Sequence, residues 1–149
     1  MVEKIDVIGA FRGKYAFLSN FYRCEIKYRG KIYPTLEHCY QSIKVIDEDL
    51  KEEIRIADTP TIAKSLGNKG KKREDWGKVK EGIMKELLLI KFSNSHLKDM
   101  LLQTEGYALV EGNYWHDNTW GNCWCNRCKK IDGKNLLGKL LMEVRNEIK

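Results

Sequence analysis

The sequence predicts a helix-rich α+β fold in a single domain, and three observations carry that expectation. Apolar residues recur at helical spacing in several stretches, most clearly Trp76, Val79, Ile83, Met84, Leu87 and Leu88. Two alternating runs, Cys24 to Tyr28 and Lys31 to Tyr33, flank Arg29-Gly30 in the pattern of a β-hairpin. The chain has 149 residues, 42% hydrophobic and 32% charged, with no low-complexity tract, repeat or linker, which suits one domain spanning residues 1–149.

Ile5, Val7 and Phe11 alternate with polar residues and suggest a first short strand. Gly13 to Phe21 reads as an aromatic loop that leads into the hairpin. Pro34-Thr35 then starts a helix from Leu36 to about Ile46, with Leu36, Cys39, Ile43 and Ile46 as its buried stripe. A charged helix follows over Leu50 to Ala57. Thr59-Pro60 supplies a cap and first-turn proline for a short helix ending at Leu66, with Gly67 as its left-handed cap. Glu74-Asp75 opens the longest helix, where the acids meet the positive end of its dipole. Asn94 or Ser95 caps the next, and Tyr107 to Val110 reads as a strand. Asn113 to Asp132 reads as a long loop, and Asn135 caps a last helix that turns Leu137, Leu140, Leu141, Val144 and Ile148 inward. That makes about five to six helices.

Several function classes are excluded. No apolar run approaches the roughly 18 residues of a membrane span. Glu3 and Asp6 break any signal-peptide pattern over Met1 to Gly9, so a cytoplasmic protein is expected. Neither a Walker pattern nor G-x-G-x-x-G occurs. The net charge of +6 suits anionic ligands, though 21 acidic residues dilute the 27 basic ones. Lys69 to Arg73 is a basic run that could hold a phosphate or simply face solvent.

Glu37, Gln41 and Lys44 recur at i, i+4 and i+7, so they share one helix face; it is either a polar pocket wall or a solvated face. Asn113 to Gly121 holds Trp115 and Trp120, which either stack on a nucleobase or pin the loop. Ser19 and Asn20, between Leu18 and Phe21, offer hydrogen bonds to ribose or phosphate oxygens, or serve as turn residues. Cys123, Cys125 and Cys128 lie within six residues. Zinc would need a fourth ligand from His116, Cys39 or Cys24; with no second C-x-x-C pair, the reading adopted is free thiols, no metal and no cofactor. A cysteine nucleophile served by His38 or His116 is the weaker alternative.

Together these pieces resemble the YbiA-like, or NADAR, family. The matching pieces are Phe17-Leu18-Ser19-Asn20-Phe21; Pro34-Thr35-x-Glu37-His38-x-x-Gln41-x-x-Lys44; Asp75-Trp76-x-x-Val79-Lys80-x-x-Ile83-Met84; Lys91-Phe92; Asp117-x-x-Trp120-Gly121; and Gly133-x-Asn135-x-Leu137-Gly138. The resemblance implies an N-glycosidase that cuts the C1′–N bond of a phosphorylated ribose–base conjugate. Two substrate groups are implied: ribosylamino-pyrimidine intermediates of riboflavin synthesis, or guanine carrying ADP-ribose, on DNA. It places Glu37 and Lys44 in catalysis, and Ser19, Asn20, Phe21, Gln41, Asp117 and Trp120 at the substrate. No membrane and no obligate protein partner is expected. The alternative is a non-catalytic binding module for ADP-ribose or nucleic acid, which would not need the Glu37–Lys44 pair. The chain departs from the family pattern after Gly121, where the three cysteines replace a stretch rich in Gly and Asp.

Overall fold

The computed structural model describes residues 6–149, and Ile5 of the expected first strand lies outside them. It is an α+β structure with two compact units, Asn20–Ser93 and Met1–Ser19 with Asn94–Lys149.

The first unit begins with a hairpin of β2 (Arg23–Tyr28) and β3 (Lys31–Thr35), numbered after β1 (Asp6–Ile8) of the other unit. The strands are antiparallel, and Arg29 and Gly30 at the turn both have positive φ, 46° and 82°. That geometry matches the right-handed strand twist, and glycine adopts it without cost. Thr35 ends β3 and caps α1 (Leu36–Lys44), its hydroxyl accepting from the His38 backbone N–H at 3.1 Å. α2 (Glu48–Arg55) starts and ends two residues before the expected Leu50 to Ala57, because Asp47 caps it. α3 (Pro60–Lys69) is capped by Thr59 as expected, and α4 (Trp76–Lys91) is the longest helix. Val45, Ile54 and Ala63 form a buried cluster flanked by Leu50, Ala57 and Leu66.

Two further boundaries differ from the sequence reading. α1 stops at Lys44 because Val45 turns extended and pairs with Lys72, and Ile46 N–H donates to Lys71 C=O. Ile46 is therefore exposed rather than part of the buried stripe. α3 runs on through Gly67, which is helical and buried instead of a left-handed cap. A Cβ there would lie 2.1 Å from Gln41 Oε1 and 3.0 Å from Gln41 Cβ, so the glycine lets α3 approach α1.

In the other unit, β1 pairs in parallel with β4 (Tyr107–Leu109), with Ile8 buried and Val7 exposed. Gly13–Leu18, read as loop, is a 3-10 helix. α5 (Ser95–Leu102) is capped by Asn94. β5 (Gly112–Asn113), at the start of the expected long loop, pairs with β6 (Asn122–Cys123) inside it. α6 (Leu136–Glu147) follows Asn135, whose side chain does not cap the helix. It ties β4 down instead, accepting from Glu111 N–H at 3.0 Å and donating to Leu109 C=O at 2.9 Å.

Candidate active site

All nine residues of α1 are buried, including Glu37, His38, Gln41, Ser42 and Lys44. The polar side of this helix is therefore no solvated face. Buried charges are expensive unless partnered, so their arrangement decides what the row can do.

Glu37 leads the helix, and its N–H donates to Asn20 C=O at 3.1 Å, which fixes Asn20 against the start of α1. Gln41 Nε2 donates to Glu37 Oε1 at 2.8 Å, as the i, i+4 spacing allows. An ionised carboxylate only accepts, so this contact fixes the amide's orientation and turns Oε1 the other way. Among the described residues, two buried side-chain oxygens meet no donor: Gln41 Oε1 and Asn20 Oδ1. An unmet buried acceptor costs about 1–3 kcal/mol, so one on the polar row and one held against its start are a pointer to ligand hydroxyls.

Lys44 Nζ donates to Asn68 Oδ1 on α3 at 3.1 Å. Burial holds the Lys44 amine below its usual value of 10.5; the Glu37 charge works against that shift, and Lys72 and Lys64 add to it. The chain carrying Lys72 runs beside the end of α1, with Arg73 N–H donating to Lys44 C=O at 3.0 Å. The basic run thus brings positive charge to the Lys44 end of the row. Gly70 within it is a packing residue, since a Cβ would lie 2.4 Å from Leu50 Cδ2 and 2.8 Å from Val45 Cγ1. Tyr40 and Trp76 pack with ring centroids 4.9 Å apart.

His38 has a structural post. Its Nε2 meets the Ala57 C=O at 2.9 Å, so Nε2 carries the proton, and Nδ1 accepts from the Thr35 hydroxyl at 2.7 Å. Burial holds it below the ordinary histidine value. Burial also pushes the Cys39 thiol far up, away from nucleophilic thiolate. A separate cavity of about 250 Å³, lined by Tyr28, Arg29, Tyr33, Lys51 and Arg73 among others, contains none of the expected site residues.

Asn20, Phe21, Glu37, Gln41 and Lys44 belong to one compact unit; Ser19, Asp117 and Trp120 belong to the other. Phe21 is 38% exposed. Asp117 Oδ1 accepts from the N–H groups of Thr119 and Trp120 at 3.0 and 2.9 Å, so this carboxylate builds the turn that presents Trp120. Trp115 is 60% exposed, which speaks against its pinning the loop to the core. Asn68, the partner of Lys44, escaped the sequence reading because Gly67-Asn68 resembles a helix stop. Lys91 stood in a matching motif but drew no role, although it is wholly buried and its amine is pushed down to about 8.

The NADAR domain model matches residues 10–149. The N-glycosidase YbiA of Escherichia coli is 38% identical over 141 residues, covering 90% of this chain and 82% of that protein. The chloroplastic riboflavin biosynthesis protein PYRR of Zea mays is 34% identical, over 96% of this chain but 24% of that longer protein. The NMR structure of E. coli YbiA superposes with a TM-score of 0.83 at 36% identity, covering 99% of this chain and 87% of that one. The fold, the ordered motifs and these likenesses agree: the chain belongs to the NADAR domain family.

Proposed function

We propose that this chain is an N-glycosidase that hydrolyses the C1′–N bond of a phosphorylated ribose–base conjugate. The observation that carries this reading is the buried row Glu37–Gln41–Lys44, in which Gln41 Oε1 and the neighbouring Asn20 Oδ1 meet no donor. Ribose hydroxyls are donors of the kind these oxygens lack. The lysines around Lys44 suit a phosphate. Membership in a family whose relatives are named N-glycosidases supports the reaction type.

In the ring-opened conjugate the base nitrogen is doubly bonded to C1′. Lys44 Nζ adds to C1′ as a neutral amine. Glu37 relays the two protons of the Lys44 nitrogen to the base nitrogen, which is expelled as a free amine, and a Lys44 imine remains. Water adds to that imine, returns the amine and releases the sugar phosphate. Gln41 holds the Glu37 carboxylate in place, and Asn20 and Gln41 grip the sugar. The family resemblance also gives Trp120, whose turn Asp117 sets, to stacking on the base, and Ser19 and Phe21 to the substrate.

Relatives from Zea mays and Vibrio vulnificus are named riboflavin biosynthesis proteins, which favours ribosylamino-pyrimidine phosphates over ADP-ribosylated guanine as substrate. The purified chain should release free base from the pyrimidine conjugate faster than from an ADP-ribosylated guanine oligonucleotide. Binding of either without base release would favour a non-catalytic module.

A further inference from the structure

The loop between β5 and α6 gathers four metal-ligating side chains: His116, Cys123, Cys125 and Cys128, whose ligand atoms all lie within 4.8 Å of one another. His116 Nδ1 is 3.3 Å from Cys128 Sγ, 3.3 Å from Cys125 Sγ and 3.9 Å from Cys123 Sγ. One ring nitrogen has a single proton or a single lone pair, so it cannot satisfy three sulfurs by hydrogen bonds. A tetrahedral zinc site explains the spacing directly. Bonds of about 2.0 Å to nitrogen and about 2.3 Å to sulfur put the nitrogen about 3.5 Å from each sulfur.

The loop is built to hold this set. Cys123 and Cys128 are buried. Cys128 N–H donates to Cys125 C=O at 3.1 Å, which turns the Cys125-x-x-Cys128 pair back on itself, and Cys123 N–H is held by Asn118 Oδ1 at 2.9 Å. His116 takes a left-handed φ of 68°, a conformation that costs energy away from glycine. None of the five cysteines forms a disulfide.

We propose that His116, Cys123, Cys125 and Cys128 bind one zinc ion that staples this loop. Three thiolates and Zn²⁺ leave a net charge of −1, which the exposed Arg127, Lys129 and Lys130 offset. Zinc fits better than magnesium or calcium, which take oxygen ligands. With four protein ligands the site is closed, so the metal is structural. His116 adjoins Asp117, whose carboxylate forms the Trp120 turn, so the metal fixes the base of that turn. Cys24 and Cys39, the other candidate fourth ligands, belong to the other compact unit.

The test is metal content. The full chain, expressed in zinc-supplemented medium and purified without chelator under reducing conditions, should carry about one zinc per chain by mass spectrometry. Cys125→Ser and Cys128→Ser should lose most of it, while Cys24→Ser keeps it. Cobalt added to the metal-stripped wild type should give the intense visible bands of a tetrahedral thiolate site, a readout that needs no variant to fold. Metal-free protein with no cobalt spectrum would overturn the site, as would a disulfide among the three cysteines or unchanged zinc in Cys125→Ser. Stoichiometric iron in place of zinc would overturn the choice of metal.

Discussion

Lys44 and Lys91 are both lysines that burial discourages from carrying charge, but their neighbours give them different uses. Lys44 faces Glu37, whose charge partly restores its basicity. Replacing Glu37 by Gln removes that support, so the Lys44 amine loses its proton at lower pH. The acid-side limb of whatever activity remains in Glu37→Gln should therefore move to lower pH, as a pH–rate profile would read directly. Borohydride added during turnover should trap the sugar on Lys44; full activity with no adduct there would remove the imine step. Lys91 sits beneath the Tyr22 ring, its amine pushed down to about 8 by burial, with Cys24 acting in the opposite direction. Between about 8 and the ordinary 10.5 the unfolded chain binds the extra proton, so wild-type stability rises with pH across that window. Below it both states are charged and the cost is constant. Lys91→Met should lack this rise, which urea unfolding at pH 7.5 and 10.5 would reveal as a narrowing gap between the two proteins.

Helix termini and helix contacts explain both what the chain announced and what it concealed. The hairpin turn at Arg29-Gly30 and the caps at Thr35, Thr59 and Asn94 are local chemistry, and each was legible. The Glu37–Gln41–Lys44 spacing was legible too, but its burial was not, because α3 supplies the covering residues from more than twenty positions away. For the same reason Gly67 reads as a stop signal yet serves as a contact. Gly67→Ala should push the Gln41 amide off Glu37 and lower kcat/KM more than it lowers thermal stability; an unchanged rate would mean that Gln41 is only a spacer. Thr35→Ala loses the helix cap and the His38 Nδ1 partner together. It should cost about 1–2 kcal/mol in chemical unfolding, with the loss concentrated in folding rather than in catalysis. The β5–β6 pairing stayed illegible because strands of two residues carry no alternation to read.

For the molecule as a whole, the +6 charge sets a long-range preference for anionic ligands, and Lys64 and Lys72 concentrate part of it near Lys44. For a phosphorylated substrate, kcat/KM should fall as ionic strength rises from 0.01 to 0.15 M, where screening shortens from about 30 to about 8 Å. A flat profile would show that capture does not depend on that field. The NADAR match spans both compact units, so activity is expected of the whole chain. The most direct measurement is single-turnover release of free base by wild type, Glu37→Gln and Lys44→Ala, each verified as folded by circular dichroism and melting temperature. Base release by wild type that falls at least about 100-fold in both variants is the expected result. Wild-type rates in either folded variant would contradict the assignment of α1 as the catalytic helix.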